Sequence, residues 1–175
     1  MENIVDVLIV GSGVSGLYCA LNLDEKLNVL VVSKSNLKNT NTYLAQGGIS
    51  TARNNNDIEL FIEDTFLADI IKDKNSCIGA ILIKDNEQIN VFAKSIVLAT
   101  GGIGGLFNNS TNQEILNGDG LAIAIKNNVK LKDINYIQIH PTAFYEEGKS
   151  GKRLLISEAV RGEGAKLLDI NGNRF

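Results

Sequence analysis

Gly11-Ser12-Gly13-Val14-Ser15-Gly16 sets three glycines at GxGxxG spacing, directly after an apolar run and directly before a helical pattern. Gly11 permits a tight turn, Gly13 lets the backbone approach a pyrophosphate, and Gly16 lets a helix pack closely on a strand. The opening turn of that helix offers unpaired N–H groups to an anion. In this arrangement an acidic residue is expected about 20 residues on, at the end of the second strand, to hold a ribose hydroxyl. Ser33-Lys34 stands there instead. Ser33 keeps a hydroxyl for the ribose, but the missing carboxylate weakens the case for NAD and leaves FAD at least equally favoured.

A second set of residues lies downstream. His140, the sole histidine, precedes Pro141. By itself it reads as a turn residue, or as an N–H donor suited to a carboxylate. Gln138 lies two residues earlier, on the same face if the segment is extended. Arg161 reads either as a bidentate carboxylate clamp or as an ion pair with Glu158 or Glu163. One histidine and two distant cysteines do not assemble a zinc site, so no metal is expected.

The elements that must position these groups follow from hydrophobic spacing. Ile4–Val10 is short, β-branched and almost wholly apolar, as in a parallel strand buried on both faces. Leu17, Ala20, Leu21 and Leu23 recur at helical spacing, and Asn28–Ser33 supplies a second strand, giving a βαβ unit of about 30 residues. Residues 34–56 are rich in Asn, Thr and Ser around a more apolar centre, Tyr43–Ile49. Asp57 caps a predicted helix with Ile58, Phe61, Ile62, Thr65 and Phe66 on one face, ending near Asp69. Cys77–Ile83 and Ile89–Ala93 flank the turn signal Lys84–Gln88 and predict a hairpin. Ser95–Thr100 predicts another buried strand, stopping at Gly101-Gly102. Gly118-Asp119-Gly120 opens a helix over Leu121–Ile125. Val129–Ile139 reads as extended, Leu154–Leu168 as a helix broken by Gly162 and Gly164, and 169–172 as a turn.

Composition sets the outer bounds. The 175 residues are 44% hydrophobic and 21% charged, with a formal net charge of −3. Such a balance fits a core-forming domain and not a nucleic-acid footprint. No apolar run approaches the roughly 20 residues of a membrane span, and no export signal is evident. Cys19 and Cys77 lie inside apolar patterns and are expected to be reduced and buried, consistent with a cytoplasmic location.

Several blocks, in order, resemble the flavoprotein subunits of succinate dehydrogenase and fumarate reductase together with the L-aspartate oxidases. They are Ser33-Lys34, Thr42–Ile49, Ala99-Thr100-Gly101-Gly102, Gly118–Gly120, Gln138–Thr142 and Glu158–Gly164. Within the family the chain is most similar to the L-aspartate oxidases. The histidine that bonds covalently to flavin in succinate dehydrogenases falls at Asn41 here, so the resemblance implies non-covalent FAD. It further implies a Rossmann-like α/β FAD-binding domain with a parallel central sheet, an added hairpin or meander, and part of a substrate region. The implied cofactor contacts are Gly11, Ser12, Gly13, Val14, Ser15, Gly16, Ser33, Lys34, Asn41, Thr42, Ala45, Gln46, Gly47, Gly48, Ala99, Thr100, Gly101 and Asp119. The implied substrate contacts are Gln138, His140, Ser157, Glu158 and Arg161, with His140 on a substrate carboxylate.

The activity so implied is oxidation of L-aspartate, or another small dicarboxylate, to iminosuccinate. Reoxidation would be by oxygen or fumarate, with delivery of the product to a quinolinate synthase in NAD biosynthesis. Two further readings stand beside it: a soluble fumarate reductase, and a non-catalytic FAD-binding fragment. The chain is read as one FAD-binding domain, 1–175, joining non-adjacent family segments near 68–70. It lacks the family's capping domain and its catalytic arginine, which lies beyond Phe175, so no catalytic residue is assigned.

Overall fold

The computed structural model describes residues 3–35, 40–43, 61–62, 64–140, 142–148 and 151–174. Strand β1 (Asn3–Val10) leads through the glycine turn into helix α1 (Val14–Leu21) and strand β2 (Val29–Val32). β1 pairs in parallel with β2 and with β6 (Glu87–Leu98), so it is central, and Val7, Leu8, Ile9 and Val10 are all buried. This is the two-sided burial that an uninterrupted apolar strand requires. β3 (Phe61–Ile62), β4 (Phe66–Asp73) and β5 (Ser76–Lys84) complete a six-stranded sheet of order β3-β2-β1-β6-β5-β4. The β5–β6 hairpin turns at Asp85 and Asn86, both at positive φ. A two-residue hairpin turn demands that conformation. Helices α2 (Asp119–Lys126) and α3 (Glu158–Gly162) follow.

The sheet folds back on itself. The first half of β6 pairs with β5 and the second half with β1, so one strand serves two layers. Ala80, Leu82, Val91 and Ala93 of the meander share one core with Leu8, Val10 and Val32. α1 covers the opposite face, where Cys19, Ala20 and Leu23 pack on Val7, Ile9 and Val31. Folding back is also what lets β3 and β4, at opposite ends of the strand order, be joined by residues 63–65 alone. Five strand steps across a flat sheet would span about 24 Å at ~4.8 Å each. Four peptide steps reach about 14 Å, enough for the ~10 Å between packed layers.

Four expectations about the secondary-structure elements are corrected. The helix predicted over 57–69 is replaced, where described, by β3 and β4. Asp64 takes φ 53°. A right-handed helix does not admit that angle, and the open edges of β2 and β5 recruit Phe61–Ile62 and Phe66–Asp73. Asp57 and Ile58 lie outside the described residues. The strands predicted to end at Ala93 and to begin at Ser95 are one strand of twelve residues. Residues 129–139 form no strand, and Asn128 and Asp133 turn the chain through positive φ. Only Glu158–Gly162 of the 154–168 segment is helical, because Leu155 bridges Ala143 and Gly164 takes φ 100°.

The cysteines are both free thiols, but Cys19 is half-buried and Cys77 exposed at the start of β5, contrary to the expected burial. The turn at 169–172 forms, with Gly172 N–H donating to Asp169 O. Among the described residues no helix is long and apolar enough to cross a membrane.

Candidate functional site

Where β1 and β6 end side by side, the backbone is packed too tightly for side chains. A Cβ on Gly11, which has φ 119°, would lie 2.1 Å from Ala99 O, and one on Gly16 would lie 1.9 Å from Gly11 O. Gly11 N–H donates to Val32 O and Ala99 N–H to Val10 O, which stitches the glycine turn to both flanking strands. Helix α1 opens here with no acidic residue in its first turn. Its positive end is therefore not compensated by a carboxylate of its own first turn. Its first amide, Val14 N–H, donates to Thr42 Oγ1 at 3.0 Å.

Two adjoining cavities form around this point. One, about 210 Å³, is lined by Gly11, Ser12, Gly13, Ser33, Lys34, Asn41, Thr42, the Phe66–Leu67 start of β4, Ala99–Gly102 and Ile115–Asp119. The other, about 520 Å³, runs along Gly13, Val14, Ser15, Thr42, Leu98–Gly101 and the Gly120–Ala124 face of α2. Every cofactor contact named from the sequence that is described lines one of them, except Gly16, whose part is to hold α1 against the turn. Ala45, Gln46, Gly47 and Gly48 lie outside the described residues.

The polar groups of the cradle are tied to one another. Ser33 Oγ donates to Ser35 O at 2.7 Å and accepts from Ser12 Oγ at 2.8 Å. Its proton is thereby committed, and it meets a further hydroxyl only as acceptor. Lys34 Nζ pairs with Asp119 Oδ2 and donates to Ile115 O, linking the β2 end to the start of α2. Asn41 Nδ2 donates to Asn112 Oδ1 and Asn41 Oδ1 accepts from Gln113 N–H, tying the 40–43 segment to the 112–118 loop. Gly120 abuts Thr100, where a Cβ would lie 2.2 Å from Oγ1. Glycines without room for a Cβ, a helix with no acidic residue in its first turn, and paired cavities fit an extended dinucleotide laid across the strand ends.

The residues expected from the sequence to contact substrate lie elsewhere and are more loosely held. Ile156 N–H donates to Thr142 O, Thr142 Oγ1 donates to Ile156 O, and Phe144 N–H donates to Leu154 O, bringing 140–144 beside 154–158. Half-buried His140 has Nδ1 3.2 Å from Thr142 N. The same Nδ1 lies 3.1 Å from Thr142 O, so it meets both an acceptor and a donor of one residue, and either ring tautomer is accommodated. Ser157 Oγ accepts from Ala159 N–H as the cap of α3. Arg161 pairs with Glu158 at 3.0 Å, the ion-pair alternative of the two read from sequence, while its buried Nε has no hydrogen-bond partner among the described residues. Gln138 is exposed.

Sequence reasoning missed Arg153. It is buried, directs Nε and Nη2 to Asn109 Oδ1 and Nη1 to Glu146 O, and stacks over the Tyr145 ring. Its backbone N–H donates to Ser110 O, so one residue clamps the 107–112 loop to the 142–157 pair. A lone basic pair, Lys152-Arg153, carries no periodic signal that would have revealed it. Phe66 and Leu67 were also missed, because their strand was read as helix.

The FAD binding domain family matches residues 6–66 and 58–175, and the chain belongs to that family. Its fold, a parallel α/β centre with an antiparallel meander, is the FAD-binding fold. L-aspartate oxidase of Clostridium perfringens is 37% identical over 260 aligned residues, covering 100% of this chain and 59% of that protein. L-aspartate oxidase of Clostridium acetobutylicum is 35% identical over 256, covering 97% and 59%. E. coli quinol fumarate reductase superposes with a TM-score of 0.80 at 19% identity, covering 98% of this chain and 44% of that one, a likeness of fold. The chain thus spans about six-tenths of the length of these curated relatives. An alignment of 260 positions set against 175 residues leaves about 85 positions of the relative without a counterpart.

Proposed function

We propose that the chain is the FAD platform of an L-aspartate oxidase, with oxidation of L-aspartate to iminosuccinate as the activity of the whole protein. The observation that carries this reading is the convergence of the glycine turn, Ala99–Gly101 and Gly118–Asp119 on one pair of cavities, in a chain whose relatives bear that name. FAD, when bound, supplies the two-electron acceptor for hydride from the substrate Cα. The remaining first-turn amides of α1 and the backbone at Gly13 would hold its pyrophosphate. Ser33 accepts from a ribose hydroxyl, and the Lys34–Asp119 pair closes the end of the cradle. His140 would donate a ring N–H to a substrate carboxylate, and Ser157 would give its hydroxyl proton to the same ligand while its oxygen caps α3. Gln138 and the Glu158–Arg161 pair edge that region. Oxygen or fumarate reoxidises the system, and the unstable imine passes to a quinolinate synthase for NAD biosynthesis, in the cytoplasm.

A second reading, a non-catalytic FAD-binding fragment, is favoured by one feature. The family matches overlap at 58–66, a few residues before the proposed junction at 68–70, and β3 passes to β4 through three residues. No inserted domain fits in that crossing. The test is anaerobic addition of L-aspartate to the flavin-loaded chain, followed by fumarate. Bleaching of the flavin band by aspartate and its return with fumarate support the oxidase. Absence of bleaching by L-aspartate, with flavin bound, leaves the fragment reading.

A further inference from the structure

Helix α2 is closely packed at its start. Gly118, at φ 74°, and Gly120, pressed on Thr100, leave no slack, and Asp119 pairs with Lys34 across the cradle. Yet α2 is only eight residues long. A helix of that length is too short to be stable without tertiary support. Its far end is held by polar contacts to β4. Asp69 Oδ2 pairs with Lys126 Nζ at 2.6 Å, Asp69 Oδ1 accepts from Asn127 Nδ2 at 2.7 Å, and Lys72 Nζ donates to Asn127 O at 3.0 Å.

A β-bulge aims Asp69 at this end. Leu67 pairs with Leu82, a core residue, but the next pairing is Asp69 with Ile81, so Ala68 is the extra residue. Regular alternation would put Asp69 on the core face with Leu67; the bulge turns it to the other face, where Ile81 lies. The cost of a buried, unpaired carboxylate is thereby avoided, and Asp69 meets the end of α2. The same bulged strand begins at Phe66 and Leu67, which line the smaller cavity. β4 thus touches both the cradle and the far end of the helix that walls it.

The geometry points to Asp69 as a positioning residue for the cofactor, acting through α2 and setting the Gly118–Gly120 end against the cradle. The inference rests on the FAD reading for its effect on affinity, but not for its effect on the helix. Two measurements on the full chain therefore separate them. In Asp69→Ala, amide hydrogen exchange without FAD speeds up at Asp119–Ala122 as well as at the Lys126 end. FAD affinity, followed by quenching of flavin fluorescence, weakens about tenfold, the equivalent of one charge-assisted hydrogen bond. The exchanged pair Asp69→Lys with Lys126→Asp recovers part of both. If Asp69→Ala does not fold, Lys126→Met takes its place and shows the same two effects at smaller size. Faster exchange confined to the Lys126 end, or unchanged FAD affinity in a variant that folds, overturns the inference. Altered exchange in a chain that binds no FAD even in wild-type form refutes the FAD reading alone.

Discussion

The two halves of the candidate site are built by different means. The cradle is framed by backbone: glycines abut carbonyls, strand ends are stitched by amide bonds, and the core of β1, β2 and the meander lies directly beneath. The 134–170 region is framed by a few side chains. Thr142 and Arg153 are its only buried polar residues among those described, while Tyr136, Ile139 and Leu154 are 78%, 83% and 71% exposed. Backbone close-packing fixes a ligand position in the folded chain itself. Side-chain clamps hold segments together but leave their apolar faces open, so the 134–170 region has the lower local stability.

That contrast breaks most visibly at the glycines. Gly16→Ala drives a methyl group into Gly11 O and is expected to cost more than about 3 kcal/mol, lowering the melting midpoint by roughly 6–12 °C. Calorimetry checks this, and a midpoint within about 2 °C of wild type would, by the same scaling, mean that the turn is not close-packed. Arg153→Met is the matching change in the other half. It leaves Asn109 Oδ1 and Glu146 O without the donor they have in the wild type. The cost is about 2 kcal/mol, and the loss is local. Hydrogen exchange in 142–157 rises while FAD affinity stays within twofold; equal loosening of both halves would erase the distinction.

How far each half was legible follows from the same physics. GSGVSG, the β1 strand, the 84–88 turn and the Gly118 helix start were readable because local chain geometry dictates them. The fate of 61–73 was not, since strand or helix there is decided by the open edges of β2 and β5. That tertiary influence overrides local periodicity. Leu154–Ile156 was misread for the same reason, its partner being Thr142–Phe144. Ser33 was found by position, but its bonds to Ser12 and Ser35 O were beyond any spacing rule. Arg153 gave no signal because its partners, Asn109 and Glu146, belong to irregular loops.

Two smaller effects sharpen the comparison. His140→Ala is expected to weaken L-aspartate binding about tenfold, by loss of one hydrogen bond to a charged group, while leaving FAD affinity unchanged. Perturbation of the flavin spectrum by aspartate measures it, and a matching loss of FAD affinity would place His140 in the cradle instead. The smallest effect is of pH. The Lys94 ammonium, together with the Asn28 amide, holds the Asp6 carboxyl below its ordinary value of 3.8, at the lower end of β1. A depressed carboxyl stabilises the fold above its unfolded value, and that contribution is lost as pH falls below about 4. The melting midpoint of wild type should therefore fall between about pH 5 and pH 3 more than that of Asp6→Asn, and parallel curves would remove Asp6 from the account.

The central claim is that the cradle of this chain takes FAD without help from the 134–170 region. It is tested most directly by titrating FAD into wild type and Arg153→Met under identical conditions and following flavin fluorescence. The account predicts saturable quenching with the same midpoint in both proteins. Absence of quenching in wild type, or a midpoint that moves with Arg153, would contradict it.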